Sequence, residues 1–172
     1  MSLSPVMATR AAGLLAGLCL VAVVALGAWR VPPSAQPAGV EADLRAVSSG
    51  EVGVEPSGPV VRRGVLTPGG PAVRGRVRLS NRTAGALAAR PHLTGGDPAL
   101  DRFLEVELRV AGRLAFRGPL GWLRDAAAPV ASLPRGGHAV VDVALRVPAS
   151  AGSEATARAG HWTLTFSGGT AR

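Results

Sequence analysis

The residues best placed to do chemistry lie in Val73–Leu79, VRGRVRL. Arg74, Arg76 and Arg78 fall on every second position, and Val73, Val77 and Leu79 alternate with them. A period of two is that of a β-strand with one buried and one solvated face; on a helix the three guanidiniums would spread around the cylinder. Lined along one face, they form a row of charged donors suited to a polyanion such as wall polymer or acidic lipid. The same row is also the wet face of an ordinary half-buried strand, and both readings stand at this level. The other candidates are thinner. His92, His138 and His161 are scattered, and none neighbours another histidine or a glutamate. Zinc proteases of the HExxH type place two histidines one helical turn apart with a glutamate base between them. There is no GxSxG nucleophile elbow, no GxGxxG and no phosphate-binding loop. Asp97 in TGGDP has the setting of a turn former. Asn81-Arg82-Thr83 matches a glycosylation sequon but sits in a turn-like SNRTAG stretch. The expectation is therefore no catalytic residue, no metal ligand and no cofactor.

Composition narrows the partners. The chain has 172 residues, 19 basic and 11 acidic, for a net charge of +8. Every basic residue is arginine, and Ala, Gly, Pro and Val abound, the signature of a GC-rich coding bias; this discounts the charge as evidence of function. Aromatics make up only 3% and none interleaves with the arginines of 73–79, which argues against nucleic acid. The charge is uneven. Ser57 to Thr94 holds seven arginines and no acid, and then Asp97, Asp101, Glu105 and Glu107 follow. One arrangement sets the arginine row against the glutamates of LEVELRV on a neighbouring strand, as cross-strand pairs. The other leaves an exposed basic face.

Arg10 precedes an uncharged run of 18 residues, Ala11–Ala28, closed by Trp29 and Arg30. That is an export segment, either a cleaved signal peptide or a signal anchor. A cut between Gly27 and Ala28 puts Ala25 and Gly27 at the small-residue positions. Cys19 lies inside this run behind Leu18, which does not suit a lipoprotein. The rest of the chain has no cysteine, hence no disulfide and no thiol nucleophile. The divisions read as 1–29 signal peptide or anchor, 30–41 a Pro/Ala/Ser-rich linker, 42–168 a folded domain and 169–172 a short tail. Membrane contact is expected only through the N-terminal segment, and the location is secreted or cell-surface.

Strands are expected at 50–56, 73–79, 86–93, 103–110, 139–147 and 161–166, with turns at LTPGGP, SNRTAG and LPRGG. Leu104, Val106, Leu108 and Val110 face inward on one strand, Val141, Val143, Leu145 and Val147 on another, and Trp162, Leu164 and Phe166 on the last. Pro91 marks a strand edge or end. GPLGWLRDA, 118–126, reads as a helical turn with Leu120 and Leu123 on its apolar side; Trp122 either caps the core or makes an exposed contact. LTPGGPAV and LPRGGHAV look like one turn device used twice. Short strands, Gly/Pro turns and little helical periodicity give an all-β fold: an antiparallel β-sandwich, jelly-roll or Ig-like, behind the N-terminal export helix.

SSGEVGVEP, LTPGGPAVRGRVRLSNRTAG, LDRFLEVELRVAG, FRGPLGWL and LPRGGHAVVDVALRVPASAGSEATARAGHWTLTF, in this order behind an apolar signal, resemble the TasA/camelysin-like family of exported bacterial proteins. The similarity covers roughly residues 47–167 and consists of turns and core positions. It implies a secreted or surface jelly-roll-like sandwich that serves structurally in the extracellular matrix or at the cell surface, self-associating into homo-oligomers or fibres by strand exchange. The family also carries a metalloprotease label, for which this sequence lacks the paired-histidine motif. The alternative is an envelope-associated binding module whose Arg74, Arg76 and Arg78 face meets anionic cell-wall polymer or lipid.

Overall fold

The computed structural model of the chain describes residues 39–170. Ten strands run in the order β1 (Val40–Ser48), β2 (Val52–Glu55), β3 (Gly58–Leu66), β4 (Val73–Asn81), β5 (Leu87–Gly95), β6 (Glu105–Val110), β7 (Arg113–Pro119), β8 (Ala131–Leu133), β9 (His138–Arg146) and β10 (Arg158–Thr170). One short helix, α1 (Pro98–Asp101), and a 3₁₀ turn, Leu120–Arg124, interrupt them. The strands form two five-stranded sheets, β3-β1-β10-β5-β8 and β2-β4-β9-β6-β7. The domain is an all-β sandwich. It is not purely antiparallel, because β1 lies parallel to β10, from Val40 beside Arg158 to Ser48 beside Phe166.

Alternation builds the core. Val106 and Leu108, Val141, Val143, Leu145 and Val147, and Trp162, Leu164 and Phe166 are all buried. Burying each such side chain contributes roughly 1.5–3 kcal/mol. Val110 is only partly buried, since β6 ends there and turns into β7. Leu120 and Leu123 of the 3₁₀ turn are fully buried. Val40 and Glu41, linker by composition, open β1. That strand buries Val40, Ala42, Leu44 and Ala46; two alanines on its apolar face make a weak sequence signal. Strands β3 and β8 and helix α1 are likewise additions to the sequence reading.

Three details tie sequence to architecture. Gly75 faces inward on β4, where a methyl group would collide with the Val60 carbonyl, so β3 and β4 pinch the sandwich shut there. The two similar turns share one geometry: Gly70 N donates to Thr67 O (2.9 Å) and Gly137 N to Pro134 O (2.8 Å), with Gly69 at φ 71° and Gly136 at φ 64°. A positive φ at the third turn position favours glycine. Strand β8 pairs only with Leu87–Ala89, so β5 is an edge from Arg90 onward, and Pro91 sits on that edge. The apolar run and the Gly27–Ala28 cleavage position lie outside the described residues; among the described residues no helix is long and apolar enough to cross a membrane.

Candidate functional site

The outward positions of β4 carry Arg74, Arg76 and Arg78, all exposed. What each meets depends on strand order. Strand β9 lies between β4 and β6, so the arginine row does not adjoin the LEVELRV glutamates, and the direct pairing expected from the sequence is corrected. Arg76 is opposite Asp142 of β9 and donates to its Oδ1 at 2.6 Å. Arg74 is opposite Ala144. Arg78 lies between Val140 of β9 and Glu55 of β2. Among the described residues neither Arg74 nor Arg78 makes an ion pair within 4.0 Å.

The glutamates find arginines of their own. Glu105 accepts from Arg117 Nε at 2.6 Å and from Arg146 Nη2 at 2.7 Å. These two hydrogen bonds, Arg117 first, hold its carboxyl below the ordinary glutamate range, and Glu105 in turn raises the Arg117 guanidinium. Glu107 accepts from Arg109 on its own strand. Exposed pairs of this kind contribute little, because water and salt screen them. They order the face more than they stabilise the fold.

Ala144 is the small outward residue between Asp142 and Arg146 on β9. Its register partners are Arg74 on one side and Glu107 on the other. Above its methyl group lies an open depression of about 600 Å³, bounded by Arg74, Arg76, Arg109, Glu107 and Asp142. A smaller hollow of about 110 Å³, bordered by Glu105 and Arg146, shares Arg74, Glu107 and Ala144 with it. The site therefore presents one guanidinium without an ion pair among the described residues, several paired ones and carboxylate oxygens around a shallow basin.

Elsewhere the structure assigns other roles. His92 and His161 stand on the outer face of the first sheet, where His161 Nδ1 is 3.6 Å from Asp43 Oδ2; His138 opens β9 in the other sheet. Among the described residues no group of three or more His, Cys, Asp or Glu side chains could hold a metal ion. Asn81 of the sequon is 5% exposed, and its Nδ2 already donates to the carbonyls of Gly85, Leu133 and Pro134. Trp122 is 63% exposed and lies over Gly118. Sequence reasoning missed Asp101. It is 2% exposed and accepts from Trp162 Nε1 at 2.6 Å and Arg124 Nε at 2.7 Å. Gly96 and Gly160 bracket the same indole, since a methyl at either would strike it. This is a structural node joining α1, the 3₁₀ turn and β10. Its one sequence signal is an acid, beside Arg102, in the otherwise apolar stretch PALDRFL, which also fits an exposed turn.

No protein-family model matches the chain, and no curated protein matches it.

Proposed function

We propose that this chain is an exported, non-enzymatic domain of the cell surface or extracellular matrix, jelly-roll-like in fold and TasA/camelysin-like in kind. Its working surface is the outer face of the second sheet, which meets an anionic polymer of the envelope. The observation that carries this reading is Arg74, exposed and without an ion pair among the described residues, beside the basin over Ala144, on a face where arginines outnumber carboxylates. The uncharged Ala11–Ala28 run supports export. The jelly-roll assignment is supported by late strands inserted between early ones, β10 between β1 and β5 and β9 between β4 and β6. The non-enzymatic reading rests on a sequence without a nucleophile–base or metal-ligand motif.

The test is retention of the full chain, in mild detergent, on an immobilised anionic wall polymer across a salt series. Retention that falls with salt and is lost in Arg74→Ser/Arg76→Ser/Arg78→Ser supports the reading; equal retention of wild type and triple variant sinks it. A second reading, self-assembly by strand pairing, is favoured by the edge strand β7, where Leu114 is 54% exposed and Trp122 is 63% exposed nearby. Against it, β7 carries Arg113 and Arg117, an irregularity opposite Leu108/Arg109 and a closing Pro119, the features that blunt edges. Sedimentation velocity over a concentration series decides: salt-resistant large species establish assembly, and a strict monomer removes it.

A further inference from the structure

We propose that the basin over Ala144 is a sugar-acid subsite: it takes one uronic-acid residue of an acidic oligosaccharide and reads its hydroxyls as well as its charge. The inference rests on the outer face of the second sheet being the polyanion-binding surface, and adds which polyanion. Three observations carry it. First, the basin's volume of about 600 Å³ falls among small-molecule sites, roughly 300–1,000 Å³. Its middle is a methyl group, whereas the strand neighbours of Ala144 carry Asp142 and Arg146. Second, Arg74 on one bank has no ion pair among the described residues, so its guanidinium is free to fork onto a carboxylate. Third, the basin also offers carboxylate acceptors, with Arg109 beside them. Glu107 sits across the row from Arg74, with Ala144 between. Asp142 gives Oδ1 to Arg76, and no described group donates to its Oδ2.

A plain polyanion can use Arg74 but gains nothing from Glu107 and Asp142, which already accept from Arg109 and Arg76. A sugar acid uses both: its carboxylate meets Arg74, and its ring hydroxyls donate to the two protein carboxylates across the methyl floor. Alternating guanidinium and carboxylate thus suits a ligand that alternates anion and hydroxyl.

The test is calorimetric titration of the full chain, in mild detergent at low salt, with tri-galacturonate and with a capped glutamate trimer of the same charge. Glu107→Ala makes the protein more positive, so simple charge attraction predicts tighter binding of both. The proposal predicts about tenfold weaker tri-galacturonate binding, the loss expected for a hydrogen bond to a charged group, and no weakening for the glutamate trimer. Ala144→Gln changes no charge but covers the methyl floor with a side chain that reaches into the basin; it is expected to lose tri-galacturonate by tenfold or more and to leave the glutamate trimer unaffected. Tighter tri-galacturonate binding by Glu107→Ala, or unchanged binding by Ala144→Gln, overturns the subsite. Preference for a glycerol-phosphate oligomer over tri-galacturonate overturns the sugar-acid assignment. If Arg74→Ser/Arg76→Ser/Arg78→Ser releases neither trimer, the underlying polyanion reading fails. If it releases both while Glu107→Ala and Ala144→Gln bind tri-galacturonate like wild type, only the subsite fails.

Discussion

Asn81 offers a sharp test of how the sandwich is held together. It closes β4, is 5% exposed, and uses its whole side chain. Nδ2 donates to Gly85 O at 2.7 Å, Pro134 O at 2.9 Å and Leu133 O at 3.1 Å. Oδ1 accepts from Thr83 N at 2.8 Å and Thr83 Oγ1 at 2.7 Å. One amide therefore knots the β4–β5 turn to the β8–β9 turn. Asn81→Ala removes all of these and leaves a buried carbonyl without its donor. Two N–H groups and two lone pairs make this about four bonds' worth; at roughly 1 kcal/mol net each the cost is about 4 kcal/mol, or a fall in Tm of about 15 °C. Asn81→Asp is the sharper probe. It keeps the acceptor for Thr83 but turns a second oxygen towards three carbonyls. At pH 7 an ionised carboxylate there is repelled and desolvated, so Asn81→Asp costs as much as Asn81→Ala or more. The folded state holds this acid protonated to a higher pH than the unfolded chain does. The folded protein then binds more protons, and stability falls as pH rises above the ordinary aspartate value of about 3.9. Lowering the pH from 7 towards 4 restores part of the loss, because a protonated carboxyl donates once. Urea unfolding of wild type and both variants at pH 7 and pH 4 reads this directly. An Asn81→Asp protein as stable as wild type at pH 7, or a deficit that ignores pH, would refute the reasoning.

Asp101→Ala leaves the buried Trp162 indole N–H without an acceptor and the Arg124 guanidinium with only Gly95 O; it is expected to cost about 2–3 kcal/mol, measured by denaturant unfolding with a shift in tryptophan emission. Gly75→Val drives a side chain into the Val60 carbonyl and parts β3 from β4; a loss of about 1–3 kcal/mol or more is expected in thermal melts. Arg117 and Arg146 depress the Glu105 carboxyl, so its contribution is present above the ordinary glutamate value of about 4.3 and lost as pH falls through its lower folded value. The stability gap between wild type and Glu105→Gln, followed by urea unfolding from pH 7 to pH 3, should close on the acid side.

Much of the local structure was legible in the sequence because a pleated strand repeats every two residues. VRGRVRL shows its wet and dry faces without reference to any other strand, and so does HWTLTF, whose Trp162, Leu164 and Phe166 are all buried. The repeated Pro/Gly turns were legible too, since a positive φ is a demand on one residue. Strand β1 was not, because alanines at 42 and 46 carry little apolar signal until β3 and β10 close around them. Strand order decided the rest. Placing β9 between β4 and β6 gave Arg76 to Asp142, left Arg74 without an ion pair among the described residues, and set the Ala144 methyl in the middle of a charged face. The burial of Asp101 likewise waited on Trp162, 61 residues away. Alternation and turn chemistry are properties of adjacent residues. Strand neighbours and buried ion partners are set by long-range packing, which no local pattern encodes.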